Sequence, residues 1–259
     1  MMLDKIYAYY FKEKDSVVEE TLHEHIENAL DTIKNIENSK IGGYIHKNFP
    51  SIKNFYQISK MSIIFHDLGK VFYQKEPDKI KEYLSFKGHE FLSTFIFKKF
   101  NDFNKKLWDS NEIFGIDIVD PIKFAILFHH HAMGIHRREE MLRELPINNL
   151  IQSRVLFKLL IEDVENFLEP EDRTPFKKAL EDIKNNISFL ANIIREAQNE
   201  LRNVWRNVWN NKNNKIFSLI LLNILIVADN ISASKKRGPS QSIFHQSIND
   251  FYINYLTAI

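Results

Sequence analysis

Apolar residues recur at the spacing of an α-helix along most of this chain, and that spacing constrains the fold more than any other feature. Leu22, Ile26, Ala29 and Ile33 follow one another at intervals of three or four residues, which places them on one face of a helix. The 259 residues include only seven Gly and seven Pro, so few positions interrupt such helices. We therefore expect an all-α fold, a compact multi-helix bundle that forms a single domain over residues 1–259.

Composition excludes several classes of protein. The chain has no cysteine, which rules out disulfides, zinc–thiolate sites and thiol nucleophiles, and we expect a reducing, cytoplasmic setting. The N-terminus mixes charged and aromatic residues, so we expect no signal peptide. The most apolar run, Ile216 to Ala228, contains Ser218 and Asn223, and we interpret it as a buried core helix, with no membrane as partner. A formal net charge of +1 provides no global attraction to nucleic acid.

Local signals predict where several elements begin and end. Residues 1–15 are expected to form a short helix or an extended arm. Ser16 followed by Glu19 has the spacing of a capping box, which predicts a helix from Ser16. Gly69 is expected to terminate the helix that precedes it. Asp120-Pro121 has the pattern of an N-cap followed by proline in the first helical turn.

The stretch Phe65-His66-Asp67-Leu68-Gly69-Lys70 is the strongest chemical motif in the chain. Three apolar residues precede the His-Asp pair, so it lies at the edge of a core. A neutral imidazole and a charged carboxylate together suit a borderline divalent metal ion, and a carboxylate has two oxygens with which to bridge two ions. Lys70 is expected beside the pair, either at the site or only as a cation near a helix C-terminus.

Further potential ligands occur in mostly apolar surroundings. His25 shares the inward face of Leu22 and Ala29, although a lone inward histidine is more often an ordinary core residue. The other candidates open or close predicted helices, and they are His89, His129, His130 and Asp229. His131 leaves open whether residues 129 and 130 or residues 130 and 131 form the ligand pair. An unpaired buried Asp229 would be costly, so it requires a cation or several hydrogen-bond donors.

Two basic segments are candidates for binding phosphate. Ser232, Lys235, Lys236 and Arg237 follow Asp229 directly, and we expect them to contact an anionic substrate. The charged segment 135–149 is interpreted either as a solvated loop or as a rim that contacts phosphates. The chain has no Walker A loop, no Gly-x-Gly-x-x-Gly turn and no Gly-x-Ser-x-Gly elbow, so these motifs provide no route to ATP hydrolysis, dinucleotide binding or serine hydrolysis.

Taken together, these segments resemble the HD superfamily of metal-dependent phosphohydrolases, and most of all the free-standing HD nuclease of type I CRISPR interference. The resemblance extends over residues 22 to about 234. It rests on His25, the 66–70 motif, Gly88-His89 with Ser93, the stretch from Ile126 to His130, and Ala228-Asp229 followed by Ser232 and Ser234.

The resemblance implies an HD-domain bundle with a two-metal site at its centre. One metal ion would be held by His25, His66, Asp67 and Asp229, and the second by Asp67, His89, His129 and His130. His66, Asp67 and Lys70 would be the catalytic residues. The mixed nitrogen and oxygen ligands favour Mn, Fe, Ni or Co over Mg.

The resemblance also implies a function and partners. The expected activity is endonucleolytic or exonucleolytic hydrolysis of single-stranded DNA, with RNA as an alternative substrate, in antiviral defence. A separate CRISPR-associated helicase and a crRNA-guided surveillance complex would supply strand separation and targeting. Two other functions compete with this one: an HD phosphohydrolase that acts on small nucleotides, and a helical scaffold without catalytic activity.

Overall fold

The computed structural model describes residues 3–14, 16–104, 118–130, 140, 153–185, 187–238 and 242–258. The described N-terminal part is a β-hairpin in which β1 (Tyr7–Glu13) pairs antiparallel with β2 (Ser16–Thr21). The helix predicted from Ser16 is therefore wrong, as is the helical alternative for residues 1–15. Val17 and Val18 are β-branched and favour a strand.

The first helix begins where a different capping box lies. The amide of Glu24 donates to Thr21 Oγ1 over 3.2 Å, and the amide of Thr21 donates to Glu24 Oε2 over 3.1 Å. These two bonds satisfy amide groups that a helix end would otherwise leave without partners. The helix thus begins at Leu22, and His25 lies in its first turn.

Ten α-helices account for most of the described residues, so the predicted helical fold is confirmed apart from the hairpin. They are α1 (Leu22–Ile33), α2 (Lys40–Asn48), α3 (Phe55–Phe65), α4 (His89–Phe103), α5 (Val119–Phe128), α6 (Phe157–Val164), α7 (Pro170–Asn185), α8 (Ile187–Asn210), α9 (Lys212–Arg237) and α10 (Ile243–Phe251). Short 3₁₀ helices occur at Ile36–Asn38, Leu68–Tyr73, Pro77–Lys79 and Ser153–Leu156, and a π-helical turn occurs at Tyr252–Leu256.

One buried apolar cluster contains residues from all ten of these helices. Helix α9 lies in its middle and packs against α1, α3 and α5. By length and composition alone α9 could cross a membrane, but the core helix of a globular protein meets the same criteria. Here its buried face includes Phe217, Leu221 and Ile224 in the shared core.

Two predicted helix boundaries differ from the structure. Helix α5 begins at Val119, so Asp120 lies within its first turn, where it accepts a hydrogen bond from Asn207 Nδ2 over 2.7 Å. Helix α9 runs on to Arg237, so Asp229 lies inside the helix and the basic run forms its last turns. The charged segment 135–149 lies outside the described residues except for Glu140.

Gly69 does not terminate a helix but allows two segments to approach closely. It lies in the 3₁₀ helix Leu68–Tyr73, and its amide donates to Ser93 Oγ over 2.8 Å. A Cβ at this position would overlap the carbonyl oxygen of His89 and lie 2.8 Å from the amide nitrogen of Ser93. The absence of a side chain therefore lets α4 begin directly against the His66-Asp67 turn.

We expect Gly69→Ala to lower the free energy of unfolding by about 1–3 kcal/mol, because the added methyl group overpacks this contact. Gly43→Ala is the matched control. Gly43 lies in α2 with open space around it, so alanine there should raise the same quantity by about 0.5–1 kcal/mol. Denaturant unfolding followed by circular dichroism measures both changes. A free energy of unfolding for Gly69→Ala as high as that for Gly43→Ala would contradict the close approach.

Candidate metal centre

Five separate segments bring histidine and aspartate side chains to one buried place. His25 comes from the first turn of α1, and Asp229 comes from α9, which packs beside α1. His66 and Asp67 follow the end of α3. His89 opens α4, and His129 and His130 follow the end of α5. The predicted ligands therefore converge, although they span more than 200 residues of sequence.

The first group consists of His25, His66, Asp67 and Asp229, with its potential ligand atoms within 4.8 Å of one another. His25 Nε2 lies 3.1 Å from Asp229 Oδ1 and 3.3 Å from Asp67 Oδ2. His66 Nε2 lies 3.3 Å from the same Asp67 oxygen. This geometry directs two imidazole nitrogens and two carboxylates at a common point.

The second group consists of Asp67, His89, His129 and His130, within the same limit of 4.8 Å. His89 Nε2 lies 2.8 Å from Asp67 Oδ1, and His129 Nε2 lies 3.9 Å from that oxygen. His130 Nε2 lies 3.2 Å from His89 Nε2. Asp67 thus presents Oδ2 to the first group and Oδ1 to the second, the arrangement of a bridging carboxylate. His131 lies outside the described residues.

Each buried histidine is held by its other ring nitrogen. His66 Nδ1 lies 2.6 Å from the carbonyl oxygen of Ile63, and His89 Nδ1 lies 2.6 Å from that of Phe86. His129 Nδ1 lies 2.7 Å from the carbonyl oxygen of Ile126. A carbonyl oxygen only accepts, so Nδ1 carries a hydrogen and Nε2 is the ring nitrogen that faces the groups. Such bonds fix the ring orientation of metal-ligating histidines.

These residues fit a divalent metal ion on the evidence of their unpaired atoms. His25 Nε2, His66 Nε2, His129 Nε2 and Asp67 Oδ1 are buried, and within the described part of the chain none has a hydrogen-bond partner of acceptable geometry. Buried polar atoms without partners are costly, and here they all point into the two groups. A cation ligated by them would remove that cost.

Lys70 lies at the edge of the groups, as predicted. Its Nζ donates to Asp67 Oδ2 over 2.6 Å and to the Ala8 carbonyl oxygen over 3.1 Å. The ammonium group neutralises part of the Asp67 charge and also ties the hairpin to the His-Asp turn. The alternative interpretation, a cation that only stabilises a helix end, does not account for these two contacts.

The electrostatic balance differs between the two groups. Burial lowers the pKa of His66, but the charges of Asp67 and Asp229 outweigh burial and raise that pKa to about 10. In the second group, burial lowers the pKa of His130 to about 3, and His89 adds to the effect. Burial, with His130 beside it, likewise holds the pKa of His129 well below its usual value. The first group therefore holds protons near neutral pH, and His129 and His130 are neutral.

The structure adds one residue that the sequence did not single out. The fully buried Glu20, on β2, accepts from His25 Nδ1 over 3.0 Å, and its other oxygen accepts from Arg237 Nη2 over 3.2 Å. His25 is thus oriented by a carboxylate, whereas His66, His89 and His129 are oriented by backbone carbonyls. Only the hairpin places Glu20 beside His25, and the helix predicted from Ser16 concealed this pairing.

The predicted substrate-binding residues occupy different positions from those expected. Ser232 is buried and donates to the His25 carbonyl oxygen over 2.9 Å, so it supports a ligand instead of contacting a substrate. Lys235 Nζ donates to Asn28 Oδ1 and Lys236 Nζ to Glu24 Oε1, each over 3.0 Å. These two exposed lysines bind α1, and their contact with a substrate stays a prediction.

Comparison of the chain with protein-family models, with curated proteins and with solved structures finds no match. The interpretation of the site therefore rests on its own geometry.

We expect Glu20→Gln to weaken metal binding at the first group by roughly tenfold, because the neutral amide holds His25 in its ligating orientation less strongly. Glu19→Gln, on the same strand and partly exposed, is the matched control. Titration calorimetry with Mn²⁺ measures both variants. Equal affinities would show that Glu20 does not support His25.

Metal binding to the first group should release protons near neutral pH. The raised pKa values of His25 and His66 mean that a metal ion must displace protons from Nε2, so the apparent affinity should rise as the pH increases toward 10. Calorimetry in buffers of different ionisation enthalpy counts the released protons. A binding enthalpy that is independent of the buffer would contradict this expectation.

Proposed function

We propose that this protein is a metal-dependent phosphodiesterase of the HD superfamily that hydrolyses single-stranded DNA, with RNA as a further substrate. The observation that carries the proposal is the buried Asp67 carboxylate, which faces the His25 group with one oxygen and the His89 group with the other. Two adjacent groups that share a carboxylate have the form of a two-metal hydrolase centre.

The ligand types support hydrolysis of a phosphate ester. Two divalent ions, when bound there, would supply an activated water and stabilise the attacking and leaving oxygens of an in-line displacement. The imidazole-rich second group favours Mn, Fe, Ni or Co, whereas Mg prefers oxygen ligands.

The protein's own residues contribute orientation and charge. His66 and Asp67 follow the end of α3, where the His66–Ile63 hydrogen bond and the close packing at Gly69 hold the turn. Lys70 places a positive charge beside Asp67, where it can stabilise negative charge that develops on a transferred phosphoryl group. Rigid placement of such groups is what makes them effective in the transition state.

We further propose that the protein acts in the cytoplasm within CRISPR antiviral defence. This part rests on the resemblance of the ordered His, His-Asp, His, His-His and Asp segments to the free-standing HD nuclease. The chain has no Walker A loop of its own, which agrees with a separate helicase that unwinds DNA. A crRNA-guided surveillance complex would direct the cleavage.

Hydrolysis of small nucleotides is the second candidate function. It is favoured by a cavity of about 290 Å³ beside His89 and His130, which is close to the lower end of the range for small-molecule pockets. A panel of dNTPs, cyclic nucleotides and single-stranded oligonucleotides, each assayed with Mn²⁺, separates the two functions. Turnover of the oligonucleotides alone supports the nuclease.

We expect Asp67→Asn to reduce cleavage of single-stranded DNA by roughly 100-fold or more, because the change removes the charge that both groups share. Asp250→Asn, at an exposed carboxylate on α10, is the matched control and should keep full activity. Gel assays with Mn²⁺ give the rates, and circular dichroism verifies folding.

His129→Asn provides a second test should Asp67→Asn fail to fold, and it should also lose most of its activity. Undiminished cleavage in a folded Asp67→Asn protein would overturn the proposal. A wild-type protein that binds less than one equivalent of Mn²⁺ and cleaves nothing would instead favour the scaffold alternative.

A further inference from the structure

A cavity of about 290 Å³ adjoins the second ligand group on the side of the β-hairpin. Ala8 and Tyr9 of β1 form one wall, and the start of α4 at Gly88 and His89 forms another. His130 also lines the cavity, so a molecule held there lies against that group. The hairpin, which the sequence did not predict, thus helps to enclose space beside the candidate metal centre.

The charges that line this cavity favour an anion. The lining includes three cationic side chains, Lys70, Lys87 and Arg237, against one carboxylate, Glu90. Lys70 is already engaged by Asp67, and Arg237 is engaged by Glu20. Lys87 is exposed, and no ion pair holds its ammonium group within the part of the chain that the structure describes. It is therefore the lining cation most available to a ligand.

The backbone next to Lys87 adds to this preference. Gly88 is the N-cap of α4 with a φ of 82°, and no side chain caps the helix. A left-handed N-cap glycine costs little conformational energy, and Gly88, His89 and Glu90 at the start of this 15-residue helix line the cavity. The positive end of the helix dipole favours a negative group there.

The wall that contains Tyr9 also carries a guanidinium group. The Arg237 guanidinium lies over the Tyr9 ring, with its Cζ 4.1 Å from the ring centroid, and both residues line the cavity. Stacked guanidinium and aromatic planes are surfaces on which bases stack without sequence preference. Glu20 accepts a hydrogen bond from Arg237 Nη2, which keeps this wall in place.

We propose that this cavity binds the nucleotide unit next to the phosphate that is cleaved, a role that rests on the proposed function. Lys87 contacts a phosphate of that unit, and the Arg237–Tyr9 wall stacks against its base. Of the predicted substrate contacts Ser232, Lys235, Lys236 and Arg237, only Arg237 lines the cavity, and Lys87 is a new contact. The ligand class is a nucleoside phosphate, either within a single strand or free.

The test compares two charge reversals of equal size. Lys87→Glu changes the cavity, and Lys47→Glu changes an exposed lysine on α2, so both alter net charge equally. Fluorescence anisotropy with a cleavage-resistant phosphorothioate oligothymidylate and Mn²⁺ gives the dissociation constants. We expect Lys87→Glu to raise the dissociation constant by roughly tenfold. The number of counterions released on binding, read from the salt dependence of the affinity, should fall by about one. Lys47→Glu should change both quantities little.

Competition with thymidine monophosphate identifies the source of the ligand. If thymidine monophosphate displaces the oligonucleotide from the wild-type protein and not from Lys87→Glu, the cavity accepts free nucleotides. If only the oligonucleotide binds, and its binding depends on Lys87, the ligand is the single strand. Equal affinities of the Lys87→Glu and Lys47→Glu proteins for both ligands overturn the proposal.

Parallel cleavage assays separate this failure from a failure of the proposed function. Normal cleavage of an ordinary oligonucleotide by Lys87→Glu, with an unchanged KM, overturns the cavity assignment and leaves the nuclease intact. If the wild-type protein binds the oligonucleotide more tightly than Lys87→Glu but hydrolyses nothing, the cavity assignment is supported and the proposed nuclease activity is overturned.

Discussion

The buried carboxylate of Asp67 is the constraint on which the rest of the structure depends. A charge removed from water requires compensation, and Asp67 receives it from Lys70, from His25 on α1, from His66 after the end of α3 and from His89 on α4. The helices packed around it bring His129 and His130 from the end of α5 and Asp229 from α9 to the same place. The close packing at Gly69 and the long core helix both serve this convergence.

The hairpin links the ligand groups to the cavity beside them. Glu20 on β2 orients His25 and also holds Arg237, while Ala8 on β1 accepts from Lys70. Two strands that contribute little to the core thus touch the first group, Lys70 and the cavity wall. The buried Glu20 carboxylate connects the two because one of its oxygens accepts from His25 and the other accepts from Arg237.

Sequence reasoning succeeded where one side chain or one helix face carried the signal, and it failed where distant segments meet. The inward position of His25 followed from the spacing of Leu22 and Ala29, and α1 confirms it. The helix start at Ser16 was wrong because Ser-x-x-Glu and Thr-x-x-Glu occur five residues apart, and only strand pairing selects the second. A glycine at position 69 is compatible with a helix end and also with the close approach of another segment. Only the position of α4 shows that the second applies.

By itself, the sequence determined that the chain is mostly helical and which histidines and aspartates share apolar surroundings, because helical periodicity and local polarity are properties of neighbouring residues. The tertiary structure alone decided that these side chains form two groups around Asp67, that Ser232 supports His25, and that Glu20 and Lys87 belong to the region. Those relations join residues up to 217 positions apart, as for Glu20 and Arg237, and only the packing of α9 against α1 and the hairpin brings such residues into contact.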